Sequence, residues 1–80
     1  MNKIGDVQRI FSLHEDWIVS ISISSKNELH IKNGDLIRFG KCGEVVVSGL
    51  KYWPDRSALD VLIKKEERVP QPGEIVYIVN

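Results

Sequence analysis

Cysteine is almost missing from this chain of 80 residues: Cys42 stands alone. No intrachain disulfide can form, and no cysteine cage can close around zinc. A reducing, cytoplasmic address is the expectation that goes with this. Net charge is missing too, because 11 basic residues balance 11 acidic ones. Without a global field the chain as a whole is not drawn to nucleic acid or to an anionic membrane. No apolar run approaches the ~20 residues of a membrane-spanning helix. The opening stretch MNKIGDVQRIF lacks the apolar length of a secretory leader. Helical periodicity is also lacking: the segment 26–34 is short and ends in Asn-Gly, and no longer window repeats its apolar positions at the helical period.

What is present is alternation. In WIVSISISS, Trp17, Val19, Ile21 and Ile23 share one face and Ser20, Ser22 and Ser24 the other, the pattern of a strand with one wet side. DLIRF sets Ile37 and Phe39 against Leu36 and Arg38, and ALDVLIKK sets Leu59, Val61 and Ile63 against Asp60, Leu62 and Lys64. EVVVSGL is a continuous β-branched run and predicts one strand covered on both faces. GDVQRIF, the least regular, opens the chain, and EIVYIV closes it. Turn residues separate these runs: LHED, SSKNE, KNGD, GKCG, YWPDRS and the proline-bearing EERVPQPG. Six strands at this spacing predict one all-β domain over residues 1–80, and closure into a small barrel is favoured because it leaves few unpaired edges.

One phrase is written twice. Gly34-Asp35 precedes LIRF, and Gly73-Glu74 precedes IVYIV. In each copy the glycine permits a sharp entry into the strand, and the acid can accept hydrogen bonds from loop amides. Leu29 and Ile31 in one copy, and Val69 in the other, would tuck under the end of the barrel. Gly34, Asp35, Gly73 and Glu74 are therefore read as structural corners.

The order strand, strand, apolar loop, NGDLIRF, apolar strand, polar strand, PGEIVYI resembles the β-barrel second domain of translation GTPases of the elongation factor Tu type. Leu29, Gly34, Asp35 and Ile37 match that family's first glycine–acid phrase, and Val69, Gly73, Glu74 and Val76 match the second. Gly5 and Val7 resemble the G-x-V that opens such barrels. The small C-terminal barrel of U32 family peptidases is similar, with the same two phrases. The resemblance spans nearly the whole chain and implies a six-stranded, Greek-key-like barrel; its motifs specify a fold, not an activity. Where the translation factors carry a G-R-G turn between their first two strands, this chain has LHED. That removes the basis for carrying over an aminoacyl-tRNA or ribosome contact at the turn. No G-x-x-x-x-G-K-[ST] phosphate loop occurs either.

No arrangement for catalysis stands out. His14, His30 and Cys42 match no ligand or nucleophile spacing, and the acid pairs Glu15-Asp16 and Glu66-Glu67 are only sequence neighbours. The run KKEER mixes both signs and reads as a solvated arm. The chain is expected to be no enzyme and to need neither metal, cofactor nor small-molecule substrate. LKYWPDRS is the richest stretch: Tyr52, Trp53 and Arg56 gather at a turn beside Lys51. Such a group can anchor a protein partner, since Trp, Tyr and Arg dominate interface hot spots, or stack bases beside phosphate-binding cations. Arg38 and Lys41 would complete a basic patch if their loops share one barrel end. The leading expectation is a non-enzymatic binding or accessory module that docks on a protein or a neighbouring domain through residues 52–56. The alternatives are a weak RNA-binding module using Arg38, Lys41, Lys51, Tyr52, Trp53 and Arg56, and an accessory domain of a U32-type peptidase.

Overall fold

A computed structural model of the chain describes residues 2–23, 31–40, 43–66 and 68–79. Leu29, His30, Lys41, Cys42 and Glu67 lie outside the described residues. The chain is all-β. Its strands are β1 (Asn2–Leu13), β2 (Asp16–Ile23), β3 (Leu36–Phe39), β4 (Gly43–Val46), β5 (Gly49–Trp53), β6 (Ala58–Lys64) and β7 (Ile75–Val79). Pro54–Arg56 forms a single 3-10 turn between β5 and β6. No helix among the described residues is long and apolar enough to cross a membrane.

The strands make one antiparallel, seven-stranded sheet in the order β4-β3-β7-β1-β2-β6-β5. Among the described residues seven strands replace the six expected, because EVVVSGL is broken at Val47-Ser48 into β4 and β5. Nor is that run covered on both faces: Val45 and Val47 are buried, whereas Glu44 and Val46 face solvent. The ladder is not closed, since β4 and β5 end it on opposite sides. Yet the chain steps from one edge to the other through Val47-Ser48 alone. Three Cα–Cα steps reach at most about 11 Å, whereas the edges of a flat sheet of this width would stand roughly 29 Å apart. The sheet is therefore rolled, and its inward side chains form one core. Val19, Ile21, Phe39, Leu59, Val61 and Val76 are all fully buried there.

The roll has an internal two-fold character, which accounts for the repeated phrase. Each half of the chain is a long kinked strand, a strand paired back on it, a glycine–acid corner and a short strand. In the first half the long strand is β1, whose pairing with β2 slips between Val7 and Arg9. In the second half it is β4 and β5 together, interrupted at Val47-Ser48. The two corners make the same hydrogen bonds. Asp35 accepts from the Lys32 amide at 3.0 Å through its carboxylate, and Glu74 accepts likewise from the Gln71 amide. Both acids also donate their own N–H back to that residue's carbonyl, at 3.1 Å in each case.

Each corner then clasps the long strand of the other half. The Gly34 N–H donates to the Val47 carbonyl at 2.7 Å, and the Val47 N–H returns a bond to the Asp35 carbonyl at 2.9 Å. Gly73 donates to Val7 at 2.7 Å, and Val7 to Glu74 at 2.8 Å. Both glycines take φ of 93°, a left-handed conformation that a Cβ strains. Gly73→Ala and Gly34→Ala should therefore each cost about 1–3 kcal/mol. Asp35→Ala and Glu74→Ala should each cost about 1 kcal/mol through the lost amide acceptor. Urea unfolding of the four variants checks this, and the equivalence of the corners requires the two members of each pair to agree to within about 1 kcal/mol.

Candidate docking site on the β5 edge

Tyr52 and Trp53 belong to β5, not to the turn that the sequence suggests. The β5–β6 ladder runs on to Trp53 opposite Ala58, and the turn begins only at Pro54, which cannot continue it. On this ladder Leu50 and Tyr52 stand opposite the buried Val61 and Leu59, so they share the inward face. Leu50 packs against the core, while Tyr52, nearer the end of the roll, is 51% exposed. Lys51 and Trp53 point outward with Asp60 and Ala58.

Trp53 is held in place on that outer face. Its indole Nε1 donates to an Asp60 carboxylate oxygen at 3.0 Å. The Lys51 ammonium lies 4.2 Å, and the Arg56 guanidinium 4.6 Å, from the centre of its ring. Each cation–π contact is worth about 0.5–1 kcal/mol at such exposure. Ser57 turns the chain back into β6 with φ of 48°, which keeps Arg56 beside the ring. The result is an ordered aromatic carrying two cations, with Asp60 engaged beneath it. A groove of about 150 Å³ runs alongside, lined by Arg9, Phe11, Ser20, Trp53, Arg56 and Asp60.

Next to this group lies an apolar row on the same outer face. Phe11 stands opposite Ile18, Ile18 opposite Leu62, and Leu62 opposite Gly49. Phe11 is 48% and Leu13 40% exposed. A second depression, of about 240 Å³, is lined by Leu13, Ile18, Leu50 and Leu62 among others. Exposed apolar area beside anchored Trp and Arg side chains is the composition of a protein-contact surface.

Of the six side chains singled out in the sequence, the structure brings Lys51, Trp53 and Arg56 together, with Tyr52 on the other face of the same strand. Arg38 is placed elsewhere: on β3 it stands opposite Glu44 on one side and Tyr77 on the other. Lys41 lies outside the described residues. Arg9, Phe11 and Asp60 belong to the site and escape a reading of the sequence alone. For Arg9 and Phe11 the signal is hidden by the irregularity at Gln8: once that residue is skipped, Arg9, Phe11 and Leu13 fall on the face opposite to that of Val7. Among the older suspects, His14 is exposed in the link between β1 and β2. Trp17 packs on the rim of the core under the Lys65 ammonium, 4.9 Å from its ring. Lys65 also bonds Ser12, and Lys64 pairs with Asp16 at 3.4 Å, so KKEER is tied down at its start. Among the described residues no group of His, Cys, Asp or Glu is placed to hold a metal ion.

The chain matches no protein-family model, no curated protein and no solved structure.

Proposed function

We propose that this chain is a non-enzymatic docking module that binds a protein partner, or a neighbouring domain, through β5 and the outer face beside it. The single observation that carries the reading is the composite surface: Trp53 fixed by Asp60 and flanked by Lys51 and Arg56, with the exposed Phe11 and Leu13 and the half-buried Ile18 and Leu62 alongside. Fixed aromatic and arginine side chains lose little freedom on binding, which is what makes them anchors. The fold reading that accompanies it is a six-stranded, Greek-key-like barrel of the translation-factor second-domain type. In its support, β4 and β5 run on as one bent strand, and the amides of Val47 and Ser48 bond to Asp35 on one side and Leu62 on the other.

A photocrosslinking phenylalanine analogue in place of Tyr52, with one in place of the exposed corner residue Gln71 as control, tests the function in the cells of origin. The expected result is a discrete protein adduct from position 52 only, resistant to ribonuclease and lost with Trp53→Ala. The same adducts from both positions would contradict it.

RNA binding is the second reading, favoured by the convergence of Arg9 and Arg56 on the Trp53 groove. It predicts ribonuclease-sensitive adducts from position 52. It also predicts that affinity for single-stranded oligouridine falls steeply with added salt, because phosphate neutralisation releases counterions.

A further inference from the structure

The directions of the backbone groups on β5 are fixed by bonds made on the far side of its neighbour β6. Lys65 donates to the Glu15 carbonyl and Ile23 to the Ser57 carbonyl. Those two bonds set the phase of the β2–β6 ladder: the residues of β6 that face β2 are Leu59, Val61 and Ile63. Ala58, Asp60 and Leu62 must then face β5, and the bond from the Ser48 amide to the Leu62 carbonyl agrees. Their partners are Trp53, Lys51 and Gly49. The N–H and C=O of Leu50 and Tyr52 accordingly point away from β6, on the outer side of the strand that ends the sheet.

We propose that this edge takes an extended, acidic segment of the partner as an added strand. The proposal rests on the docking reading above and names the partner's chemistry. Leu50 and Tyr52 supply main-chain donors and acceptors, as in other cases of strand addition. The side chains flanking them set the pattern of the incoming segment. On the outer face it meets Lys51, Trp53 and Arg56, which select carboxylates. On the inner face it meets Leu50 and the exposed ring of Tyr52, which select apolar side chains. The segment therefore alternates acidic and apolar residues.

A second copy of this chain is disfavoured as occupant. The two-fold antiparallel register that uses both Leu50 and Tyr52 places Lys51 directly against Lys51 of the other copy. Like charges directly opposite destabilise a strand pair, and a lysine on an edge strand is a common guard against self-association.

The probe is a blocked peptide of sequence TVEVEVT, added to saturation to the whole chain and followed by NMR amide exchange. Exchange at Leu50 and Tyr52 should slow at least tenfold. Three changes should abolish binding: lysine for glutamate in the peptide, N-methylation of its amides that face β5, and Tyr52→Pro. The proline removes an amide that the β5–β6 ladder does not use, so the fold should survive it, and Tyr52→Ala should still bind. Absence of binding, binding that leaves both amides unprotected, or protection by oligouridine instead would overturn the proposal. If position 52 still crosslinks to a protein in any of those cases, docking stands and strand addition falls.

Discussion

Gly5→Ala leaves the chain largely unfolded at 25 °C. Gly5 is where β1 changes partners, standing opposite Ile23 of β2 on one side and Val76 of β7 on the other. A Cβ there would lie 1.7 Å from the Ser22 carbonyl oxygen and 2.7 Å from its carbon. Both atoms are backbone, so no side chain can swing aside. Relief requires β1 to move off β2, which dissolves the ladder between the two strands. The penalty exceeds the ~1–3 kcal/mol of ordinary overpacking. A domain of this size has only roughly 4–12 kcal/mol to lose. Far-ultraviolet circular dichroism and a urea titration read the result. Gly40→Ala is the control, because its added carbon would stand 3.7 Å from the nearest atom, the Ile75 carbonyl oxygen. A Gly5→Ala protein that melts as cooperatively as the parent would show that β1 does not pass this close to β2.

Phe39→Ala lowers stability by about 3–5 kcal/mol, the range for a buried phenylalanine whose neighbours only partly collapse into the space left. Phe39 is fully buried, at the end of β3 opposite Gly43 and Val76. At about 4–8 °C per kcal/mol for a small domain, the melting temperature should fall by about 12 °C or more. Phe11→Ala, at a position 48% exposed, should change stability by no more than about 0.5 kcal/mol. The contrast separates the two phenylalanines by role: one belongs to the core and the other to the outer face. Equal losses from both would mean that Phe11 is part of the core, and the apolar row would cease to be a docking surface.

Much of this was legible in the sequence, and what was not legible has a common cause. Alternation placed Val19, Ile21, Ile37, Phe39, Leu59, Val61 and Ile63 inward, and all are buried. The glycine–acid corners were readable because their bonds to Lys32 and Gln71 are local. Their second function was not readable. Gly34 clasps Val47 and Gly73 clasps Val7, and no local pattern announces a contact with the other half of the chain. Pro54 drew Tyr52 and Trp53 into the turn that it starts, although pairing with β6 keeps both in a strand. The slip in β1 beyond Val7 concealed Arg9 and Phe11 by shifting their parity. Gly5 shows the same limit: its role depends on a carbonyl in another strand.

Among the described residues β5 ends the sheet, an open edge whose amides alternate between bonded and free. Amide hydrogen exchange of the unliganded protein tests it most directly. Lys51 and Trp53 should exchange slowly, at rates typical of the β2–β6 ladder, while Leu50 and Tyr52 exchange at least tenfold faster. Uniform protection from Leu50 to Trp53 would mean that something already covers the edge, and the account of docking would fail.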